Sequence, residues 1–181
     1  MITVFGEYND DYKPVIRNGV KLPGYYATRD GRIYSAKTNK FISLYTSSPS
    51  KNKFYYACSL SLPKGIFSKK GSGTEHEFFV PSWKKTTFNL KIEVHRLIAE
   101  TFIPIDENPP IPMEDWINTP ETAKQFIRDS ALVDHIDDDS SNNHADNLRW
   151  VTPKQNNLHR KKQELELIKC KSNENMDVSK S

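Results

Sequence analysis

The sequence lacks the features that mark membrane-spanning, secreted or disulfide-linked proteins. Only two of its 181 residues are cysteines, Cys58 and Cys170, and they lie far apart with no Cys-x-x-Cys pair. This usage favours two reduced thiols in a cytosolic protein. No apolar run approaches membrane-spanning length, and the N-terminus has no basic segment followed by an apolar one. We therefore expect a soluble protein of the cytoplasm, with no membrane partner.

A large excess of charge of one sign is also lacking. The formal net charge is +3, which hints at nucleic acid more weakly than a strongly basic domain would. Hydrophobic residues make up 36% of the chain and charged residues 27%, so the composition is polar, although 11% aromatic residues can build a core. The length suits one domain, or one domain with a small appendage.

Strand signals dominate the first half of the chain. Asp30-Gly31 lies between the runs Tyr25–Thr28 and Ile33–Ser35. This pattern predicts a hairpin, because such a turn needs positive φ. The remaining strand signals cover residues 40–45, 53–62 and 88–94, with a loop at 47–50.

Helical signals follow these strands. Residues 95–102 have apolar side chains at helical spacing, which predicts an amphipathic helix. Residues 103–112 are interrupted by prolines, so they exclude a helix. The sequence Thr119-Pro120-Glu121 predicts a second helix with Thr119 as N-cap, running to about Asp129.

A basic, glycine-containing segment at residues 63–74 allows two interpretations. It is either a solvated hairpin tip or a loop whose lysines, Lys64, Lys69 and Lys70, contact DNA phosphates. The residues after 170 have few apolar side chains, so we expect a disordered tail at 171–181.

The densest pattern has the order strand, loop, strand, helix. The strands are predicted at residues 131–134 and 148–151, with a turn rich in Asp, Ser and Asn between them. Thr152 then offers an N-cap, Pro153 suits the first helical position, and Gln155 completes a capping box.

This pattern resembles the ββα-metal, or HNH, nuclease motif, and above all the phage intron-encoded HNH homing endonucleases. Their motif runs Asp-His, then Asn before Leu-x-Trp-Val-Thr, then Asn one helical turn later. Those positions hold Asp134-His135, Asn147 and Asn156 here. Residues 31–35 and 94–99 resemble the same family. One departure is Asp137–Asp139, where the family usually has Asp-Gly-Asn; Asp can adopt the left-handed geometry at some cost.

The resemblance implies roles for these residues. His135 is expected to be the general base, because histidine exchanges protons near neutral pH. Asp134 and Asn156 are expected to bind one Mg²⁺ or Mn²⁺ ion through oxygen, with no small-molecule cofactor. Asn147 is expected to act in catalysis by bracing the loop that aims His135. His144 and Asn157 are the nearest competitors for these roles.

Double-stranded DNA is the partner that the resemblance implies. A basic patch begins at residue 159 and is either a solvated face or a backbone contact. Arg96 is a candidate phosphate ligand by resemblance, or an ordinary surface arginine. The full set of candidate DNA contacts is Lys64, Lys69, Lys70, Arg96, Arg149, Lys154, Arg160 and Lys161.

We therefore expect an α+β fold: an N-terminal antiparallel sheet, a short helix and a ββα-metal nuclease motif. Its regions are a β-rich DNA-contacting part at 1–103, a proline-punctuated insertion with a helix at 104–130, the motif at 131–170, and the tail. Monomer and homodimer both remain open.

The expected function is metal-dependent nicking or cutting of double-stranded DNA by a phage-type homing endonuclease, in a phage-infected bacterial cell. The alternatives are a non-cutting regulatory protein on the same scaffold and a low-specificity defence or restriction nuclease.

Overall fold

The computed structural model describes residues 12–50, 53–67, 86–159 and 161. These residues form an α+β protein with antiparallel sheets and short helices, as the sequence predicts. They fall into two compact units. The first contains the described residues up to Asn108 together with His135–Arg149, and the second contains Pro109–Asp134 and the described residues from Trp150 onward.

The first unit begins with a four-stranded antiparallel sheet. Its strands are β1 (Tyr12–Arg17), β2 (Val20–Thr28), β3 (Ile33–Ser35) and β4 (Lys40–Phe41), in that order. The predicted hairpin is confirmed, because β2 and β3 are antiparallel neighbours joined by residues 29–32. Gly31 lies in that turn with φ +89°, a conformation that favours glycine.

A three-stranded antiparallel sheet follows in the same unit. It consists of β5 (Tyr45–Ser50), β6 (Lys53–Pro63) and β7 (Thr87–Glu93). The predicted loop at residues 47–50 is wrong, since these residues belong to β5. Their serine-rich sequence favours a turn, but pairing of Ser47 and Ser50 with β6 overrides that preference. The strand predicted over residues 88–94 is confirmed as β7, except that Val94 begins the helix that follows.

Helix α1 (Val94–Phe102) closes the core of the first unit. Leu97 and Ile98 have no exposed surface, so the helix buries the apolar face that its spacing predicts. The backbone N–H of Ile16 on β1 donates to Thr101 Oγ1 at 3.1 Å and ties the helix to the first sheet. Cys58 on β6 is also fully buried, and this burial raises the pKa of its thiol to about 12.

The second unit contains two helices, α2 (Met113–Asn118) and α3 (Glu121–Ser130). Helix α3 is confirmed, but its predicted N-cap is wrong. Pro120 is the N-cap residue, and Thr119 instead ends α2, where its hydroxyl donates to a carbonyl of that helix at 2.7 Å. The sequence did not predict α2, which is a six-residue helix that buries Trp116.

The predicted strand–loop–strand–helix order is present. Strands β8 (Leu132–His135) and β9 (Leu148–Val151) form a two-stranded sheet, and residues 153–159 form a helix that we label α4. The capping box is confirmed. The backbone N–H of Thr152 donates to Gln155 Oε1 at 2.7 Å, and the backbone N–H of Gln155 donates to Thr152 Oγ1 at 3.2 Å. Among the described residues, no helix is both long and apolar enough to cross a membrane.

Candidate active site

The loop between β8 and β9 is held together by Asn147. Its side-chain amide donates to Asp137 Oδ1 at 2.8 Å and to the carbonyl of Asn142 at 2.9 Å. Its Oδ1 accepts from the backbone N–H of Asp137 at 3.1 Å. The backbone carbonyl of Asn147 also accepts from the backbone N–H of Ile136 at 2.8 Å. One side chain therefore connects the start, the middle and the end of the loop.

The three consecutive aspartates at the start of the loop have distinct environments. Asp138 takes the left-handed conformation with φ 65°. It stands at the position where the HNH family that the motif resembles usually has glycine. Hydrogen bonds from the side chains of Asn142 and Asn147 hold the pKa of Asp137 below its ordinary value. Hydrogen bonds from the hydroxyl and backbone of Ser141 do the same for the pKa of Asp139. The carboxylates of Asp137 and Asp139 thus accept hydrogen bonds within the loop.

His135 ends β8 and is buried, with 4% of its surface exposed. Its Nε2 atom lies 3.2 Å from Oδ1 of Asn143, which is also buried. The Tyr55 ring stacks on the imidazole at 6.1 Å between centroids, and the His95 ring meets it edge-on at 5.2 Å. The ring of His135 is therefore held in one orientation by neighbours on β6, α1 and the loop.

His95 is a packing residue in this arrangement. It is buried to 2% exposure at the start of α1, and its ring contacts both Tyr55 and His135. Its Nε2 atom is 3.7 Å from Glu93 Oε2. Its burial and its ring contacts fit a structural role.

The second unit holds the candidate metal ligands. Asp134 is buried to 8% exposure, and its Oδ2 atom lies 3.6 Å from Nδ1 of His159 on α4. Asn156 lies three residues before His159, so both are on the same face of that helix. Asn156 is half-buried and Asn157 is exposed. This difference agrees with the register in which Asn156, and not Asn157, faces Asp134.

These donors are few for a metal ion. Two atoms bound to one ion at about 2.1 Å would lie about 3–4 Å apart, which the Asp134–His159 distance satisfies. Asn156 adds an amide oxygen on the same helical face as His159. Within the part of the chain that the structure describes, no cluster of three or more His, Cys, Asp or Glu side chains is present. A carboxylate, an amide and an imidazole suit Mn²⁺, while Mg²⁺ would rely more on the oxygen donors.

His144, the competitor of His135, has a different environment. Its side chain is 42% exposed, and its Nδ1 atom accepts from the backbone N–H of Asp146 at 3.2 Å. The nitrogen that would have to be available as a base is therefore used as the cap of a short 3₁₀ turn, Ala145–Asn147.

The candidate DNA contacts differ in exposure. Arg96 pairs with Glu93, with 2.8 Å between its Nε atom and the carboxylate, and 38% of its side chain is exposed. Lys154 and Lys161 are exposed, whereas Lys64 and Arg149 are half-buried. Lys69, Lys70 and Arg160 lie outside the described residues.

Three residues at the site were not predicted from the sequence. Asn143 is one of several asparagines in a polar loop, and His159 looks like part of a basic run. Gly31 is predicted as a turn residue, but its contact with Asn143, across more than a hundred residues, has no sequence signal. The helical spacing of Asn156 and His159 is the one signal that could have identified His159.

The chain is similar to proteins described as HNH endonucleases. Residues 93–158 match the family model described as HNH endonuclease, which confirms the resemblance over that segment. An uncharacterized HNH endonuclease of Acanthamoeba polyphaga mimivirus is 28% identical over 156 residues, which cover 84% of this chain and 33% of that protein. The chain thus spans about a third of the length of this curated relative. A solved structure described as DNA binding and cleavage by the HNH homing endonuclease I-HmuI is similar to this chain, with a TM-score of 0.48 and 22% sequence identity. The similarity covers 84% of this chain and 59% of that chain.

Proposed function

We propose that the protein hydrolyses phosphodiester bonds of double-stranded DNA with a bound divalent metal ion, because residues 93–158 match the HNH endonuclease family model. The observation that carries this proposal is the pair Asp134-His135. Both side chains are buried polar groups at the end of β8, and Asp134 lies 3.6 Å from His159 on α4. Burying ionisable side chains is costly, and such groups are concentrated at functional sites.

His135 is the proposed general base. It accepts a proton from the attacking water, so a water O–H bond breaks and an imidazole N–H bond forms. Asn147 is proposed to act through the loop, since its hydrogen bonds hold the segment that follows His135 in place. His144 is not proposed as the base, because its Nδ1 atom is already a backbone acceptor.

Asp134 and Asn156 are the proposed ligands of one Mg²⁺ or Mn²⁺ ion, and His159 is an additional candidate ligand. When bound, such an ion polarises the phosphate and stabilises the charge on the leaving oxygen. Asp134 contributes the negative charge that attracts the ion, and α4 fixes the positions of the two helical donors.

Contacts with the DNA backbone are proposed for the basic side chains. Lys154 and Lys161 carry this proposal best, because both are exposed and Lys154 lies on α4, the helix that bears Asn156. Arg96 supports it through the exposed part of its side chain. The remaining candidates keep their predicted roles: Lys64, Lys69, Lys70, Arg149 and Arg160.

The proposal includes a specific class of nuclease, a homing endonuclease of the phage type. Its support is the sequence pattern quoted above, whose Asp-His, Asn and Asn positions are all occupied. The relative described above comes from an amoebal virus, so the bacterial host remains a prediction.

Digestion of plasmid DNA tests the proposal. Supercoiled plasmid is incubated with the protein in Mg²⁺, in Mn²⁺ and in EDTA, and the ends of any products are mapped by run-off sequencing. We expect cutting or nicking that requires the metal, and discrete ends if the protein is a homing enzyme. Scattered ends would favour a low-specificity nuclease. Tight binding with no cleavage in either metal would favour a regulatory protein and overturn the catalytic proposal.

A matched pair of variants makes the digestion specific to the site. His135→Ala removes the proposed base, whereas His144→Ala removes a histidine of the same loop that lies outside the proposed machinery. We expect the first variant to lose cleavage and the second to retain it. Cleavage that survives His135→Ala but not His144→Ala would mean that the base is assigned to the wrong histidine.

A further inference from the structure

The contact between Asn143 and His135 determines which nitrogen of the imidazole is available. Asn143 Oδ1 lies 3.2 Å from His135 Nε2, and its amide nitrogen is directed to the carbonyl of Ser141 at 3.4 Å. An amide oxygen only accepts, so the ring nitrogen facing it must carry the hydrogen. In a neutral imidazole, the other nitrogen, Nδ1, then holds the lone pair.

The other neighbours of the ring cannot make this choice. Tyr55 stacks on it and His95 meets it edge-on, so both restrict the plane of the imidazole. Face-to-face stacking by Tyr55 is the same for either tautomer, because it does not depend on which nitrogen carries hydrogen. Among these contacts, the hydrogen bond of Asn143 is the one that distinguishes the two nitrogens.

Asn143 is itself held by the β2–β3 hairpin. A Cβ atom placed on Gly31 would lie 2.7 Å from the carbonyl oxygen of Asn143 and 2.8 Å from its Cβ atom. Two residues farther along the loop, the backbone N–H of Ala145 donates to the carbonyl of Arg29 at 2.8 Å, and Arg29 also forms an ion pair with Asp146. The turn of the first sheet thus packs directly on the backbone of the residue that contacts His135.

We propose that Asn143 is a positioning residue that fixes the tautomer of His135, and that Gly31 is required because only a residue without a side chain lets the hairpin hold Asn143 there. The inference rests on the proposed role of His135 as the base. In this arrangement the proton from water goes to Nδ1, while Nε2 keeps its hydrogen and its bond to Asn143. The same amide oxygen then stabilises the positive charge that forms on the ring.

The tautomer can be observed without any cleavage. Long-range ¹H–¹⁵N spectra of the metal-free protein distinguish protonated from unprotonated imidazole nitrogens, at a pH at which the ring is neutral. We expect protonated Nε2 for His135 in the wild type and in Asn143→Asp, which keeps an oxygen acceptor. Asn143→Leu, of similar size, removes the acceptor and is expected to give a mixture of tautomers. A wild-type ring protonated at Nδ1, or an unchanged pattern in Asn143→Leu, would overturn the proposal.

Single-turnover cleavage provides the second readout. For Asn143→Leu we expect a rate lower by about 10-fold or more with DNA affinity unchanged, since a misplaced base affects the transition state alone. Asn143→Asp should recover most of that rate. Equal rates for the wild type and Asn143→Leu, with the tautomer changed, would show that orientation by Asn143 is not used in catalysis. Absence of cleavage by the wild type would count against the proposed function, while the spectra would still test the contact.

Gly31 has a matched control in Gly19. Both glycines lie in hairpin turns with positive φ, +89° and +72°, so alanine is strained at either position. Only Gly31 would clash with Asn143, because a Cβ atom on Gly19 meets nothing within 4 Å. We expect Gly31→Ala to lower the cleavage rate and disturb the His135 tautomer, and Gly19→Ala to lower stability alone. If both variants lose stability equally and neither changes the tautomer, the hairpin has no positioning role.

Discussion

At His135, a role in catalysis can be distinguished experimentally from a role in binding DNA or metal. An interaction used only in the transition state lowers the rate without weakening the ground-state complex. We therefore expect His135→Ala to bind DNA and metal almost as the wild type does, while its cleavage rate falls by about 10²–10⁴-fold. Gel-shift affinity and single-turnover cleavage on the same duplex measure both quantities. A parallel loss of affinity and rate would make His135 a structural residue.

Asn156 and Asn157 provide a comparison of two neighbouring amides on one helix. Asn156 is half-buried on the face that carries His159, and Asn157 is exposed about 100° away around the helix. We expect Asn156→Ala to weaken Mn²⁺ binding and cleavage, and Asn157→Ala to leave both nearly unchanged. Isothermal titration calorimetry with Mn²⁺ measures the metal affinity of each variant independently of its cleavage activity. The opposite order would mean that the register of α4 is wrong.

The sequence predicts some site residues and not others for a physical reason. Asp134, Asn147 and Asn156 stand at fixed separations along one segment, so a linear pattern can identify them. Asn143 and His159 depend on which side chain faces His135 or Asp134, which only the folded chain decides. Asp138 adopts the left-handed conformation that the sequence allowed at this position, since that conformation depends on local sterics.

At the scale of elements, the strands and helices with a strong periodicity are confirmed. β7 and α1 have clear alternation and helical spacing, and both occur where predicted. The residues of β5 were mistaken for a loop because their strand character comes from pairing with β6 and not from their own propensities. α2 was missed because a short helix is stabilised mainly by burying Trp116, a tertiary contact.

The loop between β8 and β9 should lose stability in acid. Because its hydrogen bonds lower the pKa of folded Asp137, its ionised form stabilises the fold above the ordinary aspartate range. This contribution disappears as the pH falls through the lowered value. Urea denaturation across that pH range should therefore show a flatter profile for Asp137→Asn than for the wild type. Glu107→Gln, which removes an exposed carboxylate outside the loop, is the charge control and should keep the wild-type slope.

For the whole molecule, a net charge of +3 implies that DNA affinity depends on where the cations are placed. If Lys64, Lys69 and Lys70 contact phosphates, replacing all three with Gln should reduce the log–log salt slope of binding by about 0.9 per contact. Removing the charges of Lys37 and Lys124 tests the effect of net charge alone. An unchanged slope in the triple variant would make the segment a solvated tip, and the DNA contacts would then fall to the remaining basic residues.

The complete burial of Cys58 has a consequence for measuring how the protein opens. A thiol with a pKa of about 12 and no exposed surface reacts with disulfide reagents only after the strands around it separate. In a Cys170→Ser variant, the rate of thiol labelling at Cys58 would therefore report how often the three-stranded sheet opens. Bound DNA should lower the labelling rate if the sheet contacts the DNA, and should leave the labelling rate unchanged if the sheet takes no part in DNA binding.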